Sequence, residues 1–323
     1  MPLHARYVAL LVVLVLLYLV PNVVVGYVNQ VLSQEWHILW LIKLPICLTA
    51  ILVGWAISSS SAALQVTLQN PLADPGLLGI SSGASFMAAF CLFIFASVGT
   101  SPNAVFFLYS HYWLPLMCFV GACVSGVLIF AIAKKIGQSI ASFVLAGIAV
   151  STLFSALVGW LYLIAPAQAM QTLTFWLMGS LHYTTYTSLL PAAVLIIIAL
   201  VLLQRRAKHL NMLYLGAATA IASGTDAKRL QTQVFLLVAI LVGVSVSIAG
   251  SVAFLGLLVP HAIRRMHGYD NTTVQGCSGL LGASALLVCA IANEYVFVSQ
   301  VPISMITASV GAPLFLYVLF SKR

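Results

Sequence analysis

The sequence predicts an all-α integral membrane protein of ten transmembrane helices with both termini cytoplasmic, built as one transmembrane domain over residues 1–323. Three observations carry this reading. Of the 323 residues, 63 % are hydrophobic and only 6 % are charged, whereas a soluble domain carries about 25 % charged residues. The apolar runs have the roughly 20-residue length that a helix needs to span the ~30 Å hydrocarbon core, not the ~10-residue alternation of a barrel strand. Lys and Arg also fall almost wholly into alternate loops.

The runs lie at approximately 7–27, 40–61, 76–97, 113–133, 141–164, 186–203, 231–249, 252–266, 276–297 and 303–320. The first follows Arg6, is longer than the core of a signal peptide and has no A-x-A-like cleavage site, so it reads as a membrane span. Ahead of the third, Asn70-Pro71 ends regular structure, and Asp74-Pro75 sets an N-cap carboxylate before a proline at the first helical position. Small residues recur within the spans, at Ser58–Ala63, Ser81–Ala84, Gly121–Gly126 and Gly279–Ala285, and such residues let membrane helices approach closely. The eighth run is the shortest, and Pro260-His261 within it reads as a broken helix with a structural histidine.

With the N-terminus inside, cytoplasmic segments hold Arg6, Lys134, Lys135, Arg205, Arg206, Lys208, Lys228, Arg229, Arg264, Arg265, Lys322 and Arg323, which is 12 of the 13 basic residues. Only Lys43 falls on the other side. The positive-inside rule therefore selects one orientation. The formal charge of +8 reports topology and not a nucleic-acid surface, because the basic residues sit in short clusters between apolar spans.

The five acidic residues, Glu35, Asp74, Asp226, Asp270 and Glu294, all fall in loops or at span ends. Coupling to protons or sodium usually uses ionisable groups or an unwound site at the membrane centre, so this distribution argues against a secondary transporter. The sequence has no G-x-x-x-x-G-K-[ST] phosphate loop, so if ATP drives the protein, a separate subunit binds it. Neither the seven histidines nor the six cysteines have ligand or disulfide spacing, and no metal site, cofactor or catalytic set can be built from them. The segment Gln204–Gln231 is the longest cytoplasmic one. It reads as helix, break, helix, with the break at Ser223-Gly224 and Asp226 capping the second helix. Met212, Leu213, Tyr214 and Leu215 there need membrane or a partner to cover them.

Several ordered blocks resemble the FecCD-type permeases, the membrane subunits of ABC importers for iron chelates, haem and cobalamin. They are Lys43-Leu-Pro45; Leu64-Gln65 with Asn70 to Ser85; Leu145-Ala-Gly147; Leu210 to Gly216; Ala249-Gly250; Phe254-Leu-Gly256; Val259-Pro-His261; Val301-Pro302; and Gly311-Ala-Pro313. The motif residues are Asn70, Pro71, Asp74, Pro75, Gly76, Gly79, Gly83, Gly256, Pro260, His261, Gly311 and Pro313.

The resemblance implies a type II ABC importer permease in the bacterial inner membrane. Its partners would be an ABC ATPase dimer, a second permease subunit (the same chain or a sibling) and a periplasmic substrate-binding protein, with lipid around it. The implied cargo is an iron-siderophore complex, with haem, cobalamin or a metal oxyanion as alternatives and a self-contained secondary transporter as the reading from another class. Leu210, Asn211, Met212, Leu213, Tyr214, Leu215, Gly216, Ala217 and Ala218 would couple to the ATPase. Ile140, Ala141 and Ser142 would form the cytoplasmic gate, spans five and ten would line the path, and Lys43 would dock the binding protein. The chain departs from the family where Arg-Leu-Pro-Arg is common, carrying Lys43 and then Ile46, and it has Asn293 beside Glu294 in place of a cation. Ala217 and Ala218 stand where acidic residues often follow the coupling glycine, and Gln300 where Glu is usual.

Overall fold

The computed structural model describes residues 3–28, 36–97, 113–137 and 139–320. Glu35, His111, Lys322 and Arg323 lie outside the described residues. The helices are α1 (Leu3–Val28), α2 (Leu44–Thr67), α3 (Ile80–Ser97), α4 (Trp113–Lys135), α5 (Ile140–Ile164), α6 (Ala167–Leu177), α7 (Tyr186–Arg205), α8 (Ala207–Tyr214), α9 (Ala217–Ala222), α10 (Ala227–Ala249), α11 (Leu255–His267), α12 (Asn271–Tyr295) and α13 (Ile303–Phe320). A π-helical turn, Leu39–Lys43, leads into α2, and a 3₁₀ turn, Pro75–Leu78, precedes α3. Among the described residues seven helices are long and apolar enough to cross a membrane, namely α1, α2 with its π turn, α4, α5, α7, α10 and α12; α3 and α13 are shorter apolar helices.

At the centre stands α2, buried on nearly every face from Pro45 to Thr67. A helix that is apolar all round belongs inside a bundle, and α12 is its main neighbour. Their contact is made by glycine: Gly54 lies against the Gly282 carbonyl, Gly282 against Gly54 and Ser58, and Gly279 against the Trp55 indole. Gly83 and Gly121 bring α3 and α4 together in the same way. Large apolar side chains turn outward instead on α1 (Val12, Val13, Leu16, Leu17), α5 and α7, as lipid-facing surfaces should.

Contacts between helix ends sort the bundle into two faces. On one, the Tyr7 hydroxyl meets His267 Nε2 at 2.7 Å, and Gln204 Nε2 donates to the Thr272 carbonyl at 2.8 Å. On the other, Tyr186 Oη donates to the Trp40 carbonyl at 2.5 Å, Thr184 Oγ1 to that of Ile248 at 3.1 Å, and the Ile303 amide to that of Gly179 at 3.0 Å.

Three local readings are corrected by the fold. Asp74 does act as a cap, accepting from the Gly76 amide at 2.8 Å, but it caps the 3₁₀ turn, and α3 begins only at Ile80. Although it is a loop residue by chain position, its carboxylate is tucked beside Ser61 and Gly256. Pro260 does not break its helix: α11 runs through it, and the interruption is the non-helical stretch 250–254, where Phe254 has φ 63°. Finally α6, in the stretch left unassigned between the fifth and sixth runs, is an eleven-residue helix with Pro166 at its N-cap.

Two measurements test this packing. Gly54→Ala and Gly83→Ala should each destabilise the detergent-solubilised chain by about 1–3 kcal/mol, because a methyl there meets backbone. Gly159→Ala, with open space around it, should be neutral or slightly stabilising in a thermal melt; equal losses at all three positions would refute the close-approach account.

The second concerns Asp74, whose carboxyl burial pushes up to about 6 against the lowering effect of the Gly76 amide. A carboxyl with its folded pKa above the unfolded value of ~3.9 stabilises most at low pH, and that contribution is lost as pH rises through the folded pKa. Asp74→Asn keeps an acceptor for Gly76 and should raise stability at about pH 8 by on the order of 1 kcal/mol. The gain should shrink by about pH 5, whereas a pH-independent difference would rule out the buried carboxyl as its cause.

Candidate coupling surface and its internal anchor

The predicted coupling segment folds as α8 and α9 at the face that carries Arg205, Arg206 and His267. Gly216 separates them at φ 115°, ψ 155°, and Gly224 ends α9 at φ 76°. A Cβ on either glycine would meet nothing within 4 Å, so conformation, not crowding, requires glycine there. Asp226 then caps α10, accepting from the Arg229 amide at 3.1 Å.

The apolar residues of the segment divide by face. Leu210 and Leu213 are buried in the core and Met212 packs against it, so these do not await a partner as the sequence suggests. Tyr214 and Leu215 remain exposed, Ala218 beside them, and Ile221, absent from the predicted set, is 70 % exposed. Tyr214 also stacks on Tyr269 from the α11–α12 turn, with centroids 5.4 Å apart. The result is an apolar cap made by α8, α9 and that turn.

Asn211 anchors the cap from below. Its Oδ1 accepts from the Asn271 backbone amide at 2.7 Å and from Asn271 Nδ2 at 2.8 Å, while its Nδ2 donates to Asp270 Oδ1 at 2.6 Å. Asn271 Oδ1 in turn accepts from Arg264 Nη2 at 3.1 Å, and the same nitrogen donates to the Ala62 carbonyl at 2.9 Å. The chain of bonds thus runs from α8 through α12 and α11 to the central helix α2. Burial would raise the Asp270 carboxyl, but hydrogen bonds from the Thr272 hydroxyl, Asn211, the Thr273 hydroxyl and the Thr272 amide outweigh it and hold Asp270 below the usual carboxylate range. It therefore stays ionised as the N-cap of α12.

Sequence reasoning placed Asn211 in the segment but took Asp270 for a loop acid and Arg264 for a topology marker. The Asp270-Asn-Thr-Thr273 string is an N-cap signal that points to part of this network; burial of Arg264, only 8 % exposed, has no counterpart in local sequence.

The predicted gate lies in the first turn of α5. Ser139 caps it through Ser142, with Ser139 Oγ accepting from the Ser142 amide at 3.2 Å and Ser142 Oγ from the Ser139 amide at 3.4 Å. Ser142 is consequently buried, Ile140 half-buried and Ala141 exposed. Farther along α5, Ala149, Thr152, Ser155, Ala156 and Gly159 are exposed or half-buried on one side, a weakly polar lane unlike the Val- and Leu-rich outer face of α1. Among the motif residues, Asn70 Oδ1 accepts from the Leu72 amide at 2.9 Å, Gly79 packs on the Gly147 carbonyl, and Gly311 packs on Phe254.

Lys43 departs from its expected role. Its ammonium lies 2.7 Å from Glu294 Oε1, its side chain is only 6 % exposed, and the rings of Tyr18 and Tyr295 each lie 5.5 Å from it. The geometry commits the charge to the interior of the chain and not to an exposed docking surface.

Asn211→Ala should destabilise the solubilised chain by about 1–3 kcal/mol, since it strands the Asn271 amide and removes a charge-assisted bond to Asp270. Leu215→Ala, at an exposed position, should fall within about 0.5 kcal/mol of the parent in the same melt. Similar losses for both would mean that the cap and not the buried network holds α8.

A model of the FecCD transport family matches residues 7–321. The hemin transport system permease HmuU of Yersinia pestis is 36 % identical over 289 residues, covering 89 % of this chain and 84 % of that protein. The vitamin B12 import system permease BtuC of Vibrio vulnificus is 32 % identical over 317 residues, covering 98 % and 92 %. A solved structure described as an inward-facing conformation of a metal-chelate type ABC transporter aligns with a TM-score of 0.86 at 28 % identity, over 98 % of each chain.

Proposed function

Since this chain belongs to the FecCD transport family, we propose that it is the permease subunit of an ABC importer that moves a metal chelate inward: an iron-siderophore complex, haem or cobalamin. It is a multi-pass membrane protein; in the proposed topology α1–α5, α7 and α10–α13 make ten spans of a single domain in the bacterial inner membrane, with both termini cytoplasmic. Two such subunits, identical or siblings, enclose the path between their α5 and α13 faces, where the lane Ala149 to Gly159 offers no fixed charge. That suits a large ligand whose own polar shell must slip past without being held. The chain supplies no ATP site of its own; separate ATPase subunits drive it, and a periplasmic protein delivers the cargo.

The observation that carries this reading is the apolar cap of Tyr214, Leu215 and Ile221, standing on helices that Asn211 ties to α2. Apolar side chains held out at the basic end of a membrane bundle call for a protein cover. When the ATPases close, they would shift α8 and α9, and the bonded network would pass the displacement to α11, α12 and α2 as a rigid-body switch. Ile140 and Ala141, at the same face, would part as the inner gate.

Uptake into proteoliposomes containing the chain, its ATPase inside and its binding protein outside, tests the proposal with ferric siderophore, haemin and cyanocobalamin as separate probes. Accumulation of one probe should require internal ATP. Leu215→Asp should weaken ATPase association by about 2 kcal/mol, roughly thirtyfold, while leaving the fold intact. Equal uptake without ATP or ATPase would refute the coupled mechanism in favour of a secondary transporter.

A further inference from the structure

Beside the coupling helices lies a cavity of about 320 Å³ that the transport cycle leaves unused. Arg206 and His209 line it from the junction of α7 and α8, Arg229 and Gln233 from α10, and Thr225 and Asp226 from the turn between α9 and α10. Asp226 already accepts from the Arg229 backbone amide as the cap of α10. Among the described residues neither guanidinium is in an ion pair. Two arginines and a histidine against one carboxylate make a site for an anion.

The surroundings identify which anion. Asp226, Arg229, Leu230 and Gln233 lie on one face of α10, and the same face continues to Leu236, which is exposed, and to Leu237 and Ile240, which are half-buried. On α7, the row that ends at Arg206 climbs through Leu202, Ile198 and Leu195, all exposed. Because α7 packs along α10, the basic cavity sits at the foot of two neighbouring membrane-crossing helices that carry these apolar rows. A free phosphate would use the foot alone; a phospholipid uses both. Basic pockets between helices at the cytoplasmic boundary are where anionic headgroups bind.

We propose that this cavity is a binding site for an anionic phospholipid of the inner leaflet, its phosphate held by Arg206 and Arg229 and its acyl chains lying along α7 and α10. A lipid seated there touches the Gly224–Asp226 turn and so fixes where α9 joins α10. The site would make the resting position of the coupling segment sensitive to lipid charge.

Native mass spectrometry of the full chain in nonionic detergent, titrated with dioleoyl-phosphatidylglycerol or dioleoyl-phosphatidylcholine, tests this. Phosphatidylglycerol should be retained preferentially, Arg206→Gln and Arg229→Gln should each weaken it about fivefold, and the pair should weaken it more than either alone, without simple multiplication, because both hold one phosphate. Lys134→Gln with Lys135→Gln, at the end of α4, should leave it unchanged. Arg206→Lys with Arg229→Lys keeps the charge and should retain most of the binding, which guards against mere loss of fold. Displacement by millimolar inorganic phosphate would make the cavity a free-anion site and overturn the lipid assignment. So would equal retention of the two lipids, or glutamine variants that keep the lipid and instead lose the ATPase.

Discussion

Within a bilayer, helices gain nothing from leaving water, so α2 and α12 hold together mainly by close packing of their own atoms, with a buried bond from Ser59 Oγ to the Gln275 carbonyl beside it. Glycine makes that possible. With Gly54 and Gly282 face to face, the two backbones come near enough for their carbonyls and α-carbons to touch, and Ser58 and Trp55 fill the spaces on either side. The elements that carry functional residues are arranged around this pair. Helix α11 lays Gly256 on Ser61, α1 buries Tyr18 beside Lys43 and Tyr295, and α8 reaches the pair through Asn211 and Arg264. Movement of α2 would therefore be felt at both membrane faces.

The two ends of this core are fastened differently. At the outer end in the proposed topology a half-buried ion pair, Lys43 with Glu294, joins the start of α2 to the end of α12 under two tyrosine rings. Such a pair adds little net stability over an apolar contact, yet losing one partner strands the other, so it fixes register more than it adds strength. At the inner end, neutral amides do most of the work. Asn211 Oδ1 accepts both from the Asn271 amide and from its Nδ2, so two helices meet on one neutral oxygen.

How far the sequence could be read depended on whether a signal was local. Apolar runs anticipated the long helices, because length and hydropathy act residue by residue. The break at Ser223-Gly224 and the cap by Asp226 were likewise visible, since a cap needs only its own few neighbours, whereas the earlier break at Gly216 was not read. What escaped were relations across the chain. Leu213 and Leu215 look alike in sequence; only the fold turns one inward and leaves the other out. Lys43 reads as a solvated cation until Glu294, some 250 positions away, is brought beside it. The helix α6 was missed because its length and mixed polarity match neither a span nor an ordinary loop, and Arg264 because burial of a charge is set by partners that no nearby residue announces.

The proposed coupling segment shows how these constraints meet. Helix α8 is anchored by Leu210 and Leu213 in the core and by Asn211 in the polar network, so it moves with the bundle. Among the described side chains of helix α9 only Ala220 is fully buried, and the helix is bounded by Gly216 and Gly224, two joints at which φ is positive and neighbouring atoms leave room. Force applied at Ile221 would first turn α9 on those joints, and force applied at Tyr214 or Leu215 would pass directly to α8. A partner covering both surfaces would thus engage one compliant and one stiff element at once. The compliant one lets the contact persist through a stroke, and the stiff one carries the stroke into the membrane.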